Sequence, residues 1–227
     1  MAERLTPELR ERARRALMRR DRRLARVIRR AGACELVPRG DPYGTLMRSI
    51  IYQQLQGRAA AAIAGRLRAL YGGRYPKPEA LRATGDTPLR AAGLSRQKIA
   101  ALRSLADAFA DGQIRSRRLF HMDNAAVVAA VTQVRGIGEW TAHMLLISSL
   151  GRTDVLPVGD YGIRKGAMLV YGLPAMPKPA ALEALAEPWR PYRSVGSWYL
   201  WRATEMPELF AASGARRAQS APGLRGV

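Results

Sequence analysis

The amino-acid sequence predicts an all-α protein, and three observations support this. Apolar residues recur three and four positions apart along most of the chain, the alternating pattern typical of strands is scarce, and cap signals bracket the apolar segments. Hydrophobic residues make up 48% of the 227 residues, which is enough for a buried core at this length. We therefore expect about ten helices joined by short loops.

Two arginine-rich helices are predicted at the start of the chain. Thr6-Pro7-Glu8 has the residue types favoured at an N-cap, at the first helical position and in the first turn. Asp21 is a second N-cap candidate, and Gly32 is suited to end the helix that follows it.

Helical spacing continues through the rest of the chain. The apolar segment from Leu46 to Leu70 keeps this spacing and ends at Gly72-Gly73. Two further helices are expected to begin near Pro78 and Ser95. The remaining predicted helices are Asn124 to Val134, Glu139 to Leu150, Asp160 to Val170, Pro179 to Glu187 and Ser194 to Thr204.

The charge balance points to a polyanionic partner. Lysine and arginine total 38 against 18 acidic residues, a formal net charge of +20, and only four of the 38 are lysines. A field of this size attracts nucleic acid of any sequence. Arginine binds phosphate bidentately, although a compositional bias of the genome explains the preference for arginine equally well.

Composition also excludes several classes of protein. The chain has no uninterrupted apolar run of about 18 residues that would span a membrane, and its start lacks the apolar stretch of a secretory signal. With one cysteine, Cys34, and two histidines, an internal disulfide, a four-cysteine cluster and a cysteine-based zinc site are excluded. We expect an intracellular protein that needs no cofactor.

The most informative stretch runs from Val134 to Ala142 and reads VRGIGEWTA. Its glycines, Gly136 and Gly138, allow a tight hairpin between helices and a close approach of the backbone to a ligand. N–H groups at the start of the following helix carry the positive end of its dipole and form a seat for phosphate. A simple turn between two helices explains a lone Gly-x-Gly as well.

Asp160 follows Trp140 by twenty residues, at a point where a turn leads into a helix. An ordinary N-cap explains this position, since aspartate is a favoured capping residue. A carboxylate here would also stabilise positive charge developing on a sugar, as in glycoside cleavage. The residues alone leave both interpretations open.

Together these motifs closely resemble the helix–hairpin–helix DNA glycosylases, and in particular the 3-methyladenine DNA glycosylase II branch. In that family the hairpin is followed by a Gly/Pro-rich loop that ends in the catalytic aspartate. The matching stretches, spread over roughly residues 21–205, are Ser49 to Leu55, Gly93 to Lys98, Gly136 to Ala142, Leu150 to Val155 with Pro157, and Asp160 to Gly166.

The resemblance implies a two-lobed all-α HhH-GPD fold with a central cleft that takes the flipped base. One lobe is expected to be residues 46–158, with the helix–hairpin–helix at about 125–150. The other is expected to combine residues 1–45 with 159–213, which leaves 214–227 as a flexible basic tail.

The implied activity is hydrolysis of the N-glycosidic bond of alkylated bases, of the 3-methyladenine and 7-methylguanine type, in double-stranded DNA. The base is flipped out of the duplex, and an abasic site remains for base excision repair. The resemblance further implies a monomer in the cytoplasm, associated with the nucleoid of a bacterium. A non-catalytic helix–hairpin–helix protein that binds DNA structure is the alternative, and it would not need Asp160. A basic RNA-binding protein is a third, weaker reading.

Residue roles follow from the same resemblance. Asp160 takes the catalytic position, where it stabilises the sugar cation and orients or deprotonates water. Gly136 and Gly138 hold the DNA backbone, and a structural sodium or potassium ion is expected at carbonyls near Val134 and Gly136. Leu55 is expected to fill the gap left by the flipped base, although its spacing also suits a core leucine. The other DNA-contacting candidates are Gln53, Gln54, Gln56, Arg58, Arg135, Thr141 and Arg164.

Trp140 distinguishes between branches of the family. Bifunctional members, which cleave the DNA backbone through a Schiff base, carry a lysine at this position, whereas an indole has no nucleophilic amine. The resemblance therefore implies a monofunctional enzyme in which Trp140 stacks on a cationic alkylated base, unless Trp140 is a core residue. Tyr161 and Met144, the latter where some relatives have a second aromatic residue, complete the expected pocket. His143 receives no catalytic role and is expected at the surface or in the core. Further aromatic candidates for the site are Trp189, Trp198 and Trp201, of which at least two are expected in the core.

Overall fold

The structure, a computed structural model, describes residues 4–55 and 57–210. Within these ranges it contains thirteen α-helices, a short 3-10 turn and no β-strand, which confirms the all-α prediction with more helices than expected. The predicted contact residue Gln56 and the predicted tail, 214–227, lie outside the described residues. In chain order the helices are α1 (Pro7–Arg20), α2 (Arg22–Ala31), α3 (Pro42–Tyr52), α4 (Gly57–Ala69), α5 (Pro78–Ala83), α6 (Asp86–Ala91), α7 (Arg96–Ala110), α8 (Ser116–Leu119), α9 (Asn124–Val131), α10 (Glu139–Ser148), α11 (Tyr161–Tyr171), α12 (Pro179–Ala186) and α13 (Arg193–Thr204).

The chain divides into two compact units. The first contains Pro38–Gly151 together with Arg4, and so holds α3 to α10. The second contains Leu5–Val37 and the described residues from Arg152 onward, and so holds α1, α2 and α11 to α13. Each boundary lies several residues before the position expected from the sequence. Among the helices of the described ranges, none combines the length and apolar character of a membrane span.

The first unit is built around α3 and α7. α3 begins at Asp41, whose Oδ1 accepts a hydrogen bond from Gly44 N at 3.0 Å, and it packs against α4, α7 and α10. α7 begins at the predicted cap Ser95, whose Oγ accepts from Lys98 N at 3.2 Å. The largest fully buried side chains of α3 are Leu46, Met47, Ile50 and Ile51. α7 packs against α3 in this core.

The spacing of apolar residues suggested one continuous helix from Leu46 to Leu70, but the segment is interrupted. α3 ends at Tyr52, and α4 begins only at Gly57. Between them Gln54 has φ +55, a left-handed conformation that a right-handed helix cannot contain. Apolar spacing resumes in phase after the break, so the sequence pattern alone does not reveal it.

In the second unit Asp21 joins three elements. Its Oδ1 caps α2 by accepting from Arg23 N at 3.0 Å and Leu24 N at 2.9 Å, which confirms the predicted N-cap. Its Oδ2 accepts from the indole N–H of Trp189 at 2.9 Å and from the hydroxyl of Tyr171. Because the partners lie in α2, at the end of α11 and in the 3-10 turn Glu187–Trp189, this one carboxylate fixes their relative positions.

The core of the second unit contains α1, α2, α11 and α13. Trp189 is fully buried and Trp198 is 9% exposed, which confirms core packing for two of the three late tryptophans. α11 and α13 approach so closely that a Cβ at Gly166 would lie 2.1 Å from the carbonyl oxygen of Leu200. This contact brings the start of α11 next to the third tryptophan, Trp201.

Candidate functional site

The hairpin predicted from the glycine pair lies between α9 and α10. Val134 N donates to Val131 O at 3.2 Å and Ile137 N donates to Val134 O at 3.0 Å, so the backbone closes the hairpin on itself. Arg135 N donates to Ser104 Oγ of α7 at 3.1 Å. The tip of the hairpin is therefore anchored to α7, the same helix that packs against α3.

The two hairpin glycines differ in what requires them. Gly136 has φ +79, and a Cβ there would lie 3.0 Å from Ala101 Cβ, so both its conformation and its surroundings require glycine. Gly138 has φ −98, and a Cβ there would meet no protein atom within 4 Å. Gly138 is the N-cap of α10, whose first N–H groups have no partner within the helix. The open space at Gly138 is thus suited to an approaching anion.

The turn Gln53–Leu55 follows α3 directly. Gln53 has φ −54 and ψ 133, Gln54 has φ +55, and Leu55 N donates to Tyr52 O at 3.4 Å, as in a type II turn. A left-handed conformation costs a residue other than glycine about 1–2 kcal/mol, so surrounding contacts must hold it. The turn leaves Leu55 38% exposed, which excludes its alternative as a core leucine.

Two side chains hold this turn in place. Lys98 of α7 donates from Nζ to three carbonyl oxygens, those of Ile50 at 2.8 Å, Ile51 at 2.6 Å and Gln53 at 2.9 Å. The side chain of Gln53 donates from Nε2 to the carbonyl oxygen of Gly136 at 2.8 Å. The turn is therefore joined to α7 at one side and to the hairpin at the other.

A surface cavity of about 1020 Å³ lies beside the turn and the hairpin, within the first unit. Trp140 lines it and is 47% exposed, which excludes the core alternative for this residue. Arg48 also lines it and stacks on Tyr52, with 4.1 Å from the guanidinium carbon to the ring centroid. Among the described residues, the lining includes Arg39, Arg135 and Lys98 and no acidic residue. Cations and aromatic faces together suit an anionic ligand with flat rings.

In the second unit Asp160 is the N-cap of α11 and is 8% exposed. Its Oδ1 accepts from Ile163 N at 2.8 Å and from the indole N–H of Trp201 at 2.9 Å. The N-cap interpretation is therefore correct, and the negative charge lies at the positive end of the α11 dipole. A capping role and a chemical role are compatible, because a carboxylate has two oxygens that each carry lone pairs.

Trp201 is a site residue that the sequence marked only as an aromatic candidate. A Cβ at Gly162 would lie 2.9 Å from its Cδ1, so glycine is needed for the indole to reach Asp160. Trp201 lies in α13, and the start of this helix binds the loop that precedes α11: Ser194 N donates to Thr153 O at 2.9 Å. Ser194 and Trp201 are two helical turns apart, so one face of α13 holds both the loop and the carboxylate.

Asp154 strengthens this attachment. Its carboxylate accepts from Arg193 Nε at 2.6 Å and from Arg193 Nη2 at 2.9 Å. Arg190 also donates to it, at 3.0 Å. The bidentate geometry fixes the orientation of the loop as well as its distance from α13.

The remaining predicted contact residues differ in accessibility. Tyr161 is 64% exposed, whereas Thr141 is only 2% exposed, so a direct side-chain contact from Thr141 to DNA is not available. Trp140 and Thr141 differ because neighbouring positions on a helix point about 100° apart. Arg58 is exposed, Met144 is half-buried, and the half-buried Arg164 donates to the carbonyl oxygen of Pro177.

His143 lies on the same helix as Trp140 and is half-buried. Burial lowers its pKa, and Glu139, 3.7 Å away, opposes this shift only in part. The imidazole is therefore neutral at pH 7, in keeping with a structural rather than a catalytic residue.

The hairpin carbonyl groups that would bind the implied cation already accept hydrogen bonds. Val134 O accepts from Ile137 N, and Gly136 O accepts from Gln53 Nε2. A carbonyl oxygen has two lone pairs, so both retain a position for an alkali cation, which oxygen ligands suit. The residues fit the ion, which would add positive charge beside the α10 N–H groups. The described residues contain no cluster of three or more His, Cys, Asp or Glu suited to a metal.

The chain matches a known family and is similar to several known proteins. The model of a family described as "HhH-GPD superfamily base excision DNA repair protein" matches residues 47–191. DNA-3-methyladenine glycosylase 1 of Schizosaccharomyces pombe is 33% identical over 189 residues, covering 82% of this chain and 83% of the relative.

Two solved structures are similar over almost their full length. One is a 3-methyladenine DNA glycosylase of Schizosaccharomyces pombe in complex with abasic DNA, with a TM-score of 0.78, 33% identity, and coverage of 86% of this chain and 97% of that one. The other is a DNA-3-methyladenine glycosidase from Bacillus halodurans, with a TM-score of 0.76, 36% identity, and coverage of 91% and 92%.

Proposed function

Since the chain belongs to the HhH-GPD superfamily of base excision DNA repair proteins, we propose that it is a monofunctional DNA glycosylase that releases alkylated bases of the 3-methyladenine type from double-stranded DNA. One observation carries the proposal: a nearly buried carboxylate, Asp160, held by Ile163 N and the Trp201 indole. A non-catalytic DNA-binding protein would account for the hairpin but gives no reason for this arrangement.

The chemistry assigned to Asp160 is electrostatic and general-base catalysis. When the bond between C1′ and the base breaks, its electron pair leaves with the base and positive charge develops on the sugar. The carboxylate stabilises that charge and accepts a proton from the water whose oxygen bonds to C1′. An alkylated base that already carries positive charge leaves as a neutral molecule, so it needs no general acid. One fixed carboxylate and water are then sufficient.

The absence of strand cleavage is proposed from the amines near the cavity. Backbone cleavage through a Schiff base needs a nucleophilic amine, which the indole of Trp140 lacks. Lys98 is the lysine in the cavity lining, and burial lowers its pKa. However, its Nζ donates to three carbonyl oxygens, and a neutral amine would lose one of those bonds. Lys98 is thus held as an ammonium donor.

The substrate class and the absence of strand cleavage are tested together on methylated duplex DNA. We expect the protein to release 3-methyladenine and 7-methylguanine, identified by chromatography with mass detection. The strands should remain intact until the abasic sites are cleaved by alkali. Strand breaks that appear without alkali would contradict the monofunctional assignment, and release of other bases alone would contradict the substrate class.

Gly138→Ala is expected to weaken duplex binding without affecting folding. The added methyl group meets no protein atom and would occupy only the space in front of the α10 N–H groups, so we expect about a tenfold rise in Kd. Gly136→Ala is the matched control, because its φ of +79 predicts a stability loss of about 1 kcal/mol or more. Fluorescence anisotropy gives Kd, and thermal unfolding gives stability. An unchanged Kd for Gly138→Ala would show that the backbone of the DNA does not lie there.

A further inference from the structure

We propose that Lys98 and Gln53 are positioning residues that join the Gln53–Leu55 turn to the hairpin, so that backbone binding by the hairpin and insertion of Leu55 occur as one unit. This inference rests on the proposed function. It assigns a task to two contacts that lie outside the chemistry of Asp160, and it concerns residues of the first unit alone.

Lys98 supplies what the end of α3 lacks. The last carbonyl groups of a helix have no partner within it, and cations stabilise this negative end of the dipole. α3 carries no basic residue in its last turn. Lys98, from α7, donates to the carbonyl oxygens of Ile50, Ile51 and Gln53 at 2.6 to 2.9 Å. One ammonium therefore closes the helix and holds the first residue of the turn.

Lysine is the basic residue type whose donors fit these three carbonyl oxygens. Only four of the 38 basic residues are lysines, in a chain that otherwise uses arginine. An ammonium places three donors on a single atom, so they reach three carbonyl oxygens that surround one point. A guanidinium spreads its donors over a rigid plane and is larger, so it does not fit the same point.

Gln53 completes the link. Its carbonyl oxygen accepts from Lys98, while its side-chain amide donates to Gly136 O at the hairpin tip. The next residue, Gln54, has the strained φ of +55, and Leu55 follows it. Without bonds at both ends of Gln53, the turn would relax to an unstrained conformation and Leu55 would leave its position.

Displacement of Leu55 is expected to affect base flipping and not the later breaking of the bond. An apolar side chain that fills the gap in the duplex matters most when a paired and stacked base must be removed from it. It matters little when the damaged base is already unpaired. Loss of Lys98 should therefore slow release from a paired site and leave the bond-breaking step unaffected.

The test compares Lys98→Met, Lys98→Arg and Gln53→Glu with the wild-type protein. Met keeps the length of the stem without donors, Arg keeps the charge, and Glu keeps the shape of Gln53 but directs an oxygen at Gly136 O. Each protein is incubated in excess with 7-methylguanine either paired with cytosine or in a single-base bulge. Fluorescence of 2-aminopurine placed beside the lesion reports flipping.

We expect each variant to release the paired base about 10- to 100-fold more slowly, the effect of losing bonds to a charged or buried group. Release from the bulge should stay within about threefold of wild type, and the 2-aminopurine signal should decrease on the paired duplex alone. Equal slowing on both duplexes, full activity on both, or rescue by Lys98→Arg would overturn the inference. If Lys98→Met fails to fold, Gln53→Glu carries the same test. If the wild-type protein releases base from neither duplex, the proposed function itself fails.

Discussion

Asp160→Asn is expected to abolish base release while duplex binding remains intact. Asparagine keeps the shape of the side chain and still accepts from Ile163 N, but it removes the negative charge beside the sugar and the acceptor for the proton of water. Loss of electrostatic stabilisation and of a general base each lower kcat by about 10²-fold or more, so we expect a fall of at least about 10³-fold in the single-turnover rate. Released base is measured by chromatography with enzyme in excess.

A binding measurement and a control variant show whether the loss of activity is specific to catalysis. The Kd for duplex DNA, from fluorescence anisotropy, should stay within about threefold of wild type. Asp154→Asn serves as the control, because Asp154 lies in the same loop but binds Arg190 and Arg193. Asp154→Asn should lower the unfolding temperature and retain measurable release. A rate for Asp160→Asn within about tenfold of wild type would show that Asp160 is only an N-cap.

Trp201→Phe is expected to slow base release about 10- to 100-fold, the range for loss of a hydrogen bond to a charged group. Phenylalanine keeps an aromatic ring against Gly162 but removes the indole N–H that donates to Asp160 Oδ1 at 2.9 Å. The carboxylate would keep the bond from Ile163 N but lose the one from the indole, and with it part of its orientation. The measurement is again the single-turnover rate, with Kd determined in parallel.

Trp198→Phe is the matched control for Trp201. Its ring lies three residues earlier in α13 and packs edge-on against Tyr199, with centroids 4.9 Å apart. This change should affect stability through packing and leave the rate on folded protein within about threefold of wild type. If both variants slow release equally, the bond from Trp201 to Asp160 is not what matters.

The parts of the site that were predicted from the sequence are local. The hairpin and the N-cap position of Asp160 depend on residues a few positions apart, and glycine and aspartate have specific backbone preferences. Leu55 and Trp140 each had a core alternative, which spacing could not exclude. Their exposure, 38% and 47%, depends on where α3 and α10 pack.

The parts that were missed depend on contacts between distant segments. Lys98 binds carbonyls more than forty residues earlier, and Trp201 binds a carboxylate forty-one residues earlier. Carbonyl groups exist at every position, so no residue pattern marks the ones that Lys98 reaches. The rarity of lysine in this chain was the available signal for Lys98.

Part of the net charge of +20 belongs to arginines that also bind other parts of the protein. Several arginines donate to carbonyl groups of their own chain, among them Arg10 to Cys34, Arg23 to Tyr171 and Arg66 to Ala92. Such residues support the fold while their charge still contributes to the field that attracts DNA. The number of arginines is therefore not the number of phosphate contacts.

The central claim is that this chain breaks the N-glycosidic bond and does not merely bind DNA. The most direct measurement is the release of free base from a duplex containing one 7-methylguanine, with the protein in excess and binding to the same duplex measured alongside. We predict that free 7-methylguanine appears as the bound duplex is converted to an abasic product. A duplex that is bound tightly and keeps its 7-methylguanine would contradict the claim.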